Sequence, residues 1–270
     1  MSSLPPLAER RPLLTRSHQW RGVWSLYVKE VQRFMTVFGQ TIAAPVVTTL
    51  LFLAVFTVAP GRGGTIVHGV SYAEFLAPGL AIMAMAQNAF ANTSSSIIIS
   101  KVQGNIVDLL LPPLSPGDIL MGMTGAGLTR GLLVGCVVAL AMSIFVPWHI
   151  AHPLFVVYHG VCGALMLSLL GIMGGIWSEK FDHIAAVTNF VVTPATFLSG
   201  SFYTLDRLPP LWQQVARLNP FFYMIDGFRY GFIGASDAPV GAGLAVMALV
   251  DAALALLAYQ MIRSGYKLKA

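Results

Sequence analysis

An all-α integral membrane protein is the fold class this sequence predicts, on three observations. The 270 residues are 56% hydrophobic and 10% charged, with a mean hydropathy of +0.73, whereas a soluble domain carries about 25% charged residues. Six apolar stretches are each long enough to cross a hydrocarbon core of ~30 Å at 1.5 Å per residue. The basic residues fall unevenly among the segments between them. A net charge of +5 raises the possibility of nucleic acid as a partner, but the cations are scattered and no basic aromatic module is present. Cys136 and Cys162 both lie within apolar runs and read as small buried hydrophobes, not as a disulfide framework.

The six expected spans are 41–59, 75–99, 119–146, 154–177, 184–203 and 240–262. No continuous apolar core precedes the first, so no cleavable signal peptide is expected. With the amino terminus inside, Arg10, Arg11, Arg16, Arg21, Lys29, Arg33, Lys101, Lys180, Arg263, Lys267 and Lys269 are cytoplasmic, eleven in all. Arg62, Arg207, Arg217 and Arg229, four residues, fall outside. The positive-inside rule therefore places both termini in the cytoplasm. Ahead of the first span, Trp24, Tyr27, Val28, Val31, Phe34, Met35 and Phe38 recur at helical spacing and form one apolar stripe. Arg21, Lys29 and Arg33 flank it, which suits an amphipathic helix lying on an anionic inner surface.

Between the fifth and sixth spans, "LPPLWQQVARLNPFFYMIDGFRYG" (208–231) is apolar but cut by Asn219-Pro220. Neither half is long enough to span. Pro209 and Pro210 suit a helix start, and Leu211, Val215 and Leu218 form one stripe. Phe221, Ile225, Phe228 and Phe232 form another. Asp226 and Arg229, three apart, are positioned to pair. The segment reads as two half-helices dipping into the outer leaflet, or as a hairpin lying flat at the interface.

These motifs carry a resemblance. "FLSGSFYTLDRLPPLWQQVARLNPFFYMIDGFRYGFIG" (197–234) resembles the carboxy-terminal signature of ABC-2-type transport permeases. It has the small "LSGSFY" end of a span, a Leu-Pro pair, Asn219-Pro220 and then Arg229. "VKEVQRFM", "SYAEFLAPGL" and "NIVDLLLPPLSP" extend the likeness, over essentially the whole chain, to small bacterial inner-membrane permeases of that type. Asp251, an acid within the sixth span, matches no motif of the family, and the outer loops are short. The resemblance implies a polar tail (1–20), an amphipathic elbow helix (21–38) and a six-span domain (39–270). It also implies a second copy of the chain, two cytoplasmic ABC ATPase subunits, and export from the inner leaflet or cytoplasm across the bacterial inner membrane. Membrane lipids are the remaining partner, and nucleic acid is not one.

Four groups of residues follow. The loop 100–118 contains a short helix with Val102, Ile106 and Leu109/Leu110 apolar, ended by Pro112 and Pro113. By resemblance it is the coupling helix, and Lys101, Asn105, Ile106, Asp108 and Leu109 contact the ATPase. Gln87, Asn88 and Asn92 of the second span, with Asn189 and Thr193 of the fifth, either line a pathway or hold the bundle by interhelical hydrogen bonds. Trp212, Asn219, Pro220, Asp226 and Arg229 are read as an outer gate. Gly127, Gly131 and Gly135 form a small-residue face for close helix packing. Arg130 and Asp251 lie at similar depth, so a buried structural pair is one reading of them and a proton relay another. His149, His152 and His159 lack companions for a metal site.

No catalytic residue is expected. A phosphate-binding loop requires GxxxxGK[ST], and none of the five lysines follows a glycine. No cofactor is expected on this chain, and ATP with magnesium belongs on the partner ATPase. A transporter of lipid-like or amphipathic substrates is the expected function, with a gradient-driven secondary transporter or channel as the alternative.

Overall fold

The computed structural model describes residues 16–58, 66–110, 112 and 114–268. The tail 1–15, the last residue of the expected first span, Arg62, Pro113 and Lys269 lie outside the described residues. So do the side chains of residues 16–19 and of Leu110. Among the described residues the regular structure is helical except for one β-hairpin of two-residue strands. In order, the elements are α1 (Arg16–Met35), α2 (Phe38–Val58), β1 (Ile66–Val67), β2 (Val70–Ser71), α3 (Tyr72–Val102), α4 (Ile106–Leu110), α5 (Pro116–Met142) and α6 (Pro153–Trp177). These are followed by α7 (Phe181–Val187), a π-helical turn Thr188–Val192, α8 (Thr193–Phe197), α9 (Pro210–Leu218), α10 (Pro220–Ile233) and α11 (Val240–Ser264).

Among the described residues four helices, α2, α5, α6 and α11, are long and apolar enough to cross a membrane. The expected six spans divide differently in two places. α3 is 31 residues long, ample for a crossing, but its polar middle from Gln87 to Ser96 lowers its hydropathy. The expected fifth span begins in a continuous helical run, 181–197, in which a five-residue π-helical turn separates α-helical stretches of 7 and 5 residues. Pro194 has no N–H to donate into the preceding turn, and the adjoining backbone widens to the i→i+5 pattern, with Thr193 N–H bonding to the Thr188 carbonyl.

α3 is the axis of the bundle, gripped by α5 on one side and α6 on the other. The grip depends on glycine. A Cβ on Gly131 would stand 2.8 Å from the Met85 carbonyl oxygen, and one on Gly171 would stand 2.2 Å from Thr93 Oγ1. Gly127 and Gly135 likewise face Thr93 and Met85, so the tandem glycine face of α5 is spent on packing inside the chain. Thr93 then donates from Oγ1 to the Ser168 carbonyl of α6 at 2.8 Å. Helices this close gain dispersion contacts and one interhelical hydrogen bond, which replace the missing hydrophobic drive in lipid.

Local signals set the ends of α3 and α5. His68 (φ 49°) and Gly69 (φ 80°) make the two-residue turn of the β1–β2 hairpin, both in the left-handed region such turns require. Ser71 caps α3 by accepting from Glu74 N–H. Ser115 and Asp118 form a reciprocal capping box at the start of α5.

Candidate functional site

Three sites can be built from this frame: the face where α1 meets α3, a groove beside it, and the two ends of the bundle.

α1 turns only part of its apolar stripe to the bundle, with Phe34 buried and Tyr27, Val28 and Val31 half-buried. The buried positions are Leu26, Glu30 and Phe34, while Trp24 and Met35 of the expected stripe are exposed. The reason is steric and electrostatic. Leu26 fills the space left by Gly122 and Tyr27 lies on Gly125, while the Tyr27 hydroxyl meets Thr129 Oγ1 at 3.0 Å. That registration turns Glu30 and Arg33 toward α3. Arg33 donates to Glu30 (3.1 Å), to Ser95 Oγ (3.1 Å), and to the carbonyl and Oδ1 of Asn92 (2.7 and 3.1 Å). Ser96 Oγ donates to the other Glu30 oxygen at 2.7 Å. The expectation that Arg33 faces anionic lipid is thereby corrected: it closes a polar clamp between α1 and α3. The signal was present as an i,i+3 Glu-Arg pair, but its partners lie some sixty residues away.

The polar residues of α3 therefore serve different partners. Asn92, Ser95 and Ser96 serve the clamp, and Asn92 is fully buried. Thr93 holds α6. Gln87 and Asn88, one turn towards the amino-terminal end of α3 from the clamp, line a groove of about 380 Å3 between α2, α3 and α8. Thr48, Thr49 and Thr193 contribute hydroxyls, and Phe52, Leu80, Met83 and Phe197 make the apolar walls. Of the five residues expected to share a lining, Gln87, Asn88 and Thr193 are together here. Asn92 is in the clamp. Asn189 is exposed on the π-helical turn, away from the groove. Arg130 of α5 donates to Asn88 Oδ1 at 3.3 Å, directly behind the groove. It makes no ion pair with Asp251, as three ion pairs among the described residues are Arg33–Glu30, His68–Asp237 and Lys267–Glu179. Asp251 instead faces α6, with the Cys162 thiol as its polar neighbour.

At one end of the bundle, α4 projects between α3 and α5. Ile106 is buried and pins it, whereas Asn105, Val107 and Asp108 are exposed and Leu109 is half-buried. Lys101 does not join that exposed face. Its ammonium donates to the Ile176 carbonyl at 2.7 Å and to the Ser178 carbonyl, closing the carboxy-terminal end of α6, where cations are favoured. Nearby, Lys267 donates to Glu179 at 2.9 Å. That hydrogen bond and the attendant charge hold the Glu179 carboxyl below its ordinary value and the Lys267 ammonium above its own.

At the opposite end, the two half-helices behave differently. α9 leaves Leu211, Trp212 and Leu218 exposed, but α10 is buried along most of its length against α3, α6 and α11. Asn219 joins them. It caps α10 by accepting from Phe221 N–H and donates to the Ala195 carbonyl (2.8 Å) and Ser199 Oγ (2.9 Å) of the α8 segment, with Pro220 occupying the first turn. Asp226 and Arg229 do not pair with each other, because each finds nearer partners. Asp226 accepts from Ser236 Oγ (2.6 Å), Asp237 N–H (2.9 Å) and Ala238 N–H (3.2 Å). Arg229, fully buried, donates to the Gly200 carbonyl at 2.6 Å and stands 3.9 Å over the Phe75 ring. Asp237, missed in the sequence, extends the network by accepting from Leu205 N–H and meeting His68 Nε2, each at 2.9 Å.

Residues 21–233 match the ABC-2 type transporter family. The chain belongs to that family. It is 39% identical over 250 residues to the inner membrane transport permease YadH of Escherichia coli K12, covering 93% of this chain and 98% of that one. It is 26% identical over 232 residues to nodulation protein J of Rhizobium leguminosarum bv. viciae, covering 85% and 88% respectively. As an ABC-2 permease the chain is a transmembrane subunit of an ABC transporter, and the matched region takes in α1, the groove, α4 and both half-helices.

Proposed function

We propose that this ABC-2 permease is the membrane half of an ATP-driven exporter in the bacterial inner membrane. Two copies associate with two cytoplasmic ABC ATPases, and both termini lie in the cytoplasm. In this reading α2, α3, α5, α6, the α7–α8 run and α11 are the six crossings, with α4 at the cytoplasmic side and α9–α10 at the outer leaflet. The observation that carries the reading is α4. A five-residue helix is held by one buried residue, Ile106, and presents Asn105, Val107 and Asp108 outward. Ile106 belongs to one apolar cluster with Ile97 of α3 and Ile119 of α5, and α3 carries the face that lines the groove. A push on α4 therefore acts on the α3 wall. ATP and magnesium act on the partner subunit, and closure of the ATPases is the step that drives α4.

The groove supports passage of a lipid-like or amphipathic molecule, since amides and hydroxyls stand beside aromatic and aliphatic walls on the flank of the bundle. Trp212, Asn219, Pro220, Asp226 and Arg229 form the outer gate. Asn219 and Arg229 both bind the segment just after α8, so α10 shifts only with that segment and no full span needs withdrawing. Co-expression with candidate ATPase subunits from the same genome tests the assembly. A two-plus-two complex that co-elutes in detergent is expected. A chain that purifies alone and transports on an ion gradient contradicts it.

A further inference from the structure

The two arginines beside the polar face of α3 are unequal. Arg33 has its donors committed to Glu30, Ser95 and Asn92. Arg130 reaches a single neutral acceptor, Asn88 Oδ1, at a long 3.3 Å. Its Nε is buried without a partner. Among the described residues it has no carboxylate within ion-pairing distance, and the neighbouring charge it does feel, that of Arg33, is like-signed. A guanidinium midway along a membrane helix, with no counter-ion and a second cation nearby, lacks the anion that normally offsets its desolvation.

The groove supplies the place for one. Asn88 is both the acceptor for Arg130 and part of the groove lining. Its neighbour Gln87 also lines the groove, and the Gln87 amide makes no hydrogen bond to the described residues. We propose that the groove between α2, α3 and α8 binds an anionic amphiphile. Its phosphate or carboxylate headgroup sits at Gln87, Asn88 and Arg130, and its apolar part lies along Phe52, Met83 and Phe197. The headgroup displaces the long Arg130–Asn88 contact and takes charge-assisted hydrogen bonds from the guanidinium fork. This rests on the groove being the substrate pathway and adds the sign of the substrate's charge.

The test is photo-crosslinking of the purified full chain in detergent with a diazirine-bearing dodecyl phosphate, followed by mapping of the labelled peptides. Label is expected on the groove faces of α2 and α3, competed by unlabelled dodecyl phosphate and by phosphatidylglycerol but not by dodecyltrimethylammonium. Arg130→Gln is expected to lower labelling about tenfold, the worth of one charged hydrogen bond, while Arg130→Lys retains most of it. Gln87→Leu, which leaves the guanidinium in place, is expected to lower it severalfold, so the result does not hang on the folding of one variant. Label outside the groove, undiminished label in both Arg130→Gln and Gln87→Leu, or equal competition by the cationic amphiphile overturns the proposal. Competition by inorganic phosphate with none by phosphatidylglycerol overturns the amphiphile and assigns the site to a soluble anion. A parent chain that takes no label in the groove, while still assembling with its ATPases, removes this inference alone; failure of that complex to assemble removes the exporter reading beneath it.

Discussion

At the residue scale, the molecule places its few charges where each has a stated job, and this makes single substitutions informative. Glu30 and Arg33 share the clamp to α3. Removing one partner of a buried pair leaves the other desolvated, a loss of about 3 kcal/mol or more. Glu30→Gln and Arg33→Gln are each expected to lower stability in detergent on that scale. The double variant should lose less than the sum, measured as a double-mutant cycle by thermal unfolding; strict additivity would mean that the two side chains act separately. Asp226→Asn should cost about 2 kcal/mol, because three donors lose a charged acceptor, whereas an Asp226–Arg229 pair would require Arg229 substitutions to be coupled to it. Glu179 and Lys267 give the pH dependence at the α4 end. Glu179 has a lowered carboxyl value, so its contribution is present above the ordinary value of 4.5 and is lost as pH falls through the lowered one. Lys267 is raised, so its contribution is present below 10.5 and is lost as pH rises through the raised value. Between those limits the pair stays intact. Glu179→Gln is therefore expected to lower the order at Lys267 in the neutral range to the parent's acid-side level, followed by the hydrogen exchange of residues 265–268, and to abolish the acid-side pH dependence.

At the element scale, close packing of α3 against α5 and α6 is the main structural constraint, and the glycines of α5 differ in what they tolerate. Gly131 faces the backbone oxygen of Met85, whereas Gly135 faces the flexible end of the Met85 side chain. Gly131→Ala should therefore destabilise by about 1–3 kcal/mol, as overpacking against a fixed atom does. Gly135→Ala should cost less, because the methionine can swing aside. Equal losses in thermal unfolding would contradict this. The glycine face and the Asn219-Pro220 break were both legible in the sequence, because each follows from a local spacing. The clamp face of α1 was not. Apolar periodicity pointed to Trp24 and Met35, but the face is decided by Gly122 and Gly125 on another helix, which admit Leu26 and Tyr27 and so rotate Glu30 inward. The broken fifth span was hidden for a similar reason. Its composition is apolar enough to read as one span, and only the missing N–H of Pro194 reveals why the helix widens ahead of it.

At the scale of the whole molecule, the family and the mostly helical membrane fold could be read from the sequence, since they are properties of patterns along the chain. The site could be read in part. Gln87, Asn88 and Thr193 were grouped correctly as neighbours because amides and hydroxyls in lipid must converge. Asn92 was not separable from them, since it follows Asn88 by one helical turn on the same side, and only Arg33 from another helix engages it. The pairing of Arg130 with Asp251 failed because equal depth in a bundle says nothing about facing: Arg130 looks to α3 and Asp251 to α6. The central claim is that α4 transmits the work of a separate ATPase to the walls of the groove. Its most direct test is ATP hydrolysis by the purified permease–ATPase complex carrying Val107→Asp or Asp108→Arg on the exposed face of α4. Hydrolysis that loses its response to added amphiphile, in a permease that remains folded, is the predicted result. Variants that hydrolyse and transport as the parent complex does would show that α4 is not the point of contact and that the drive reaches the bundle elsewhere.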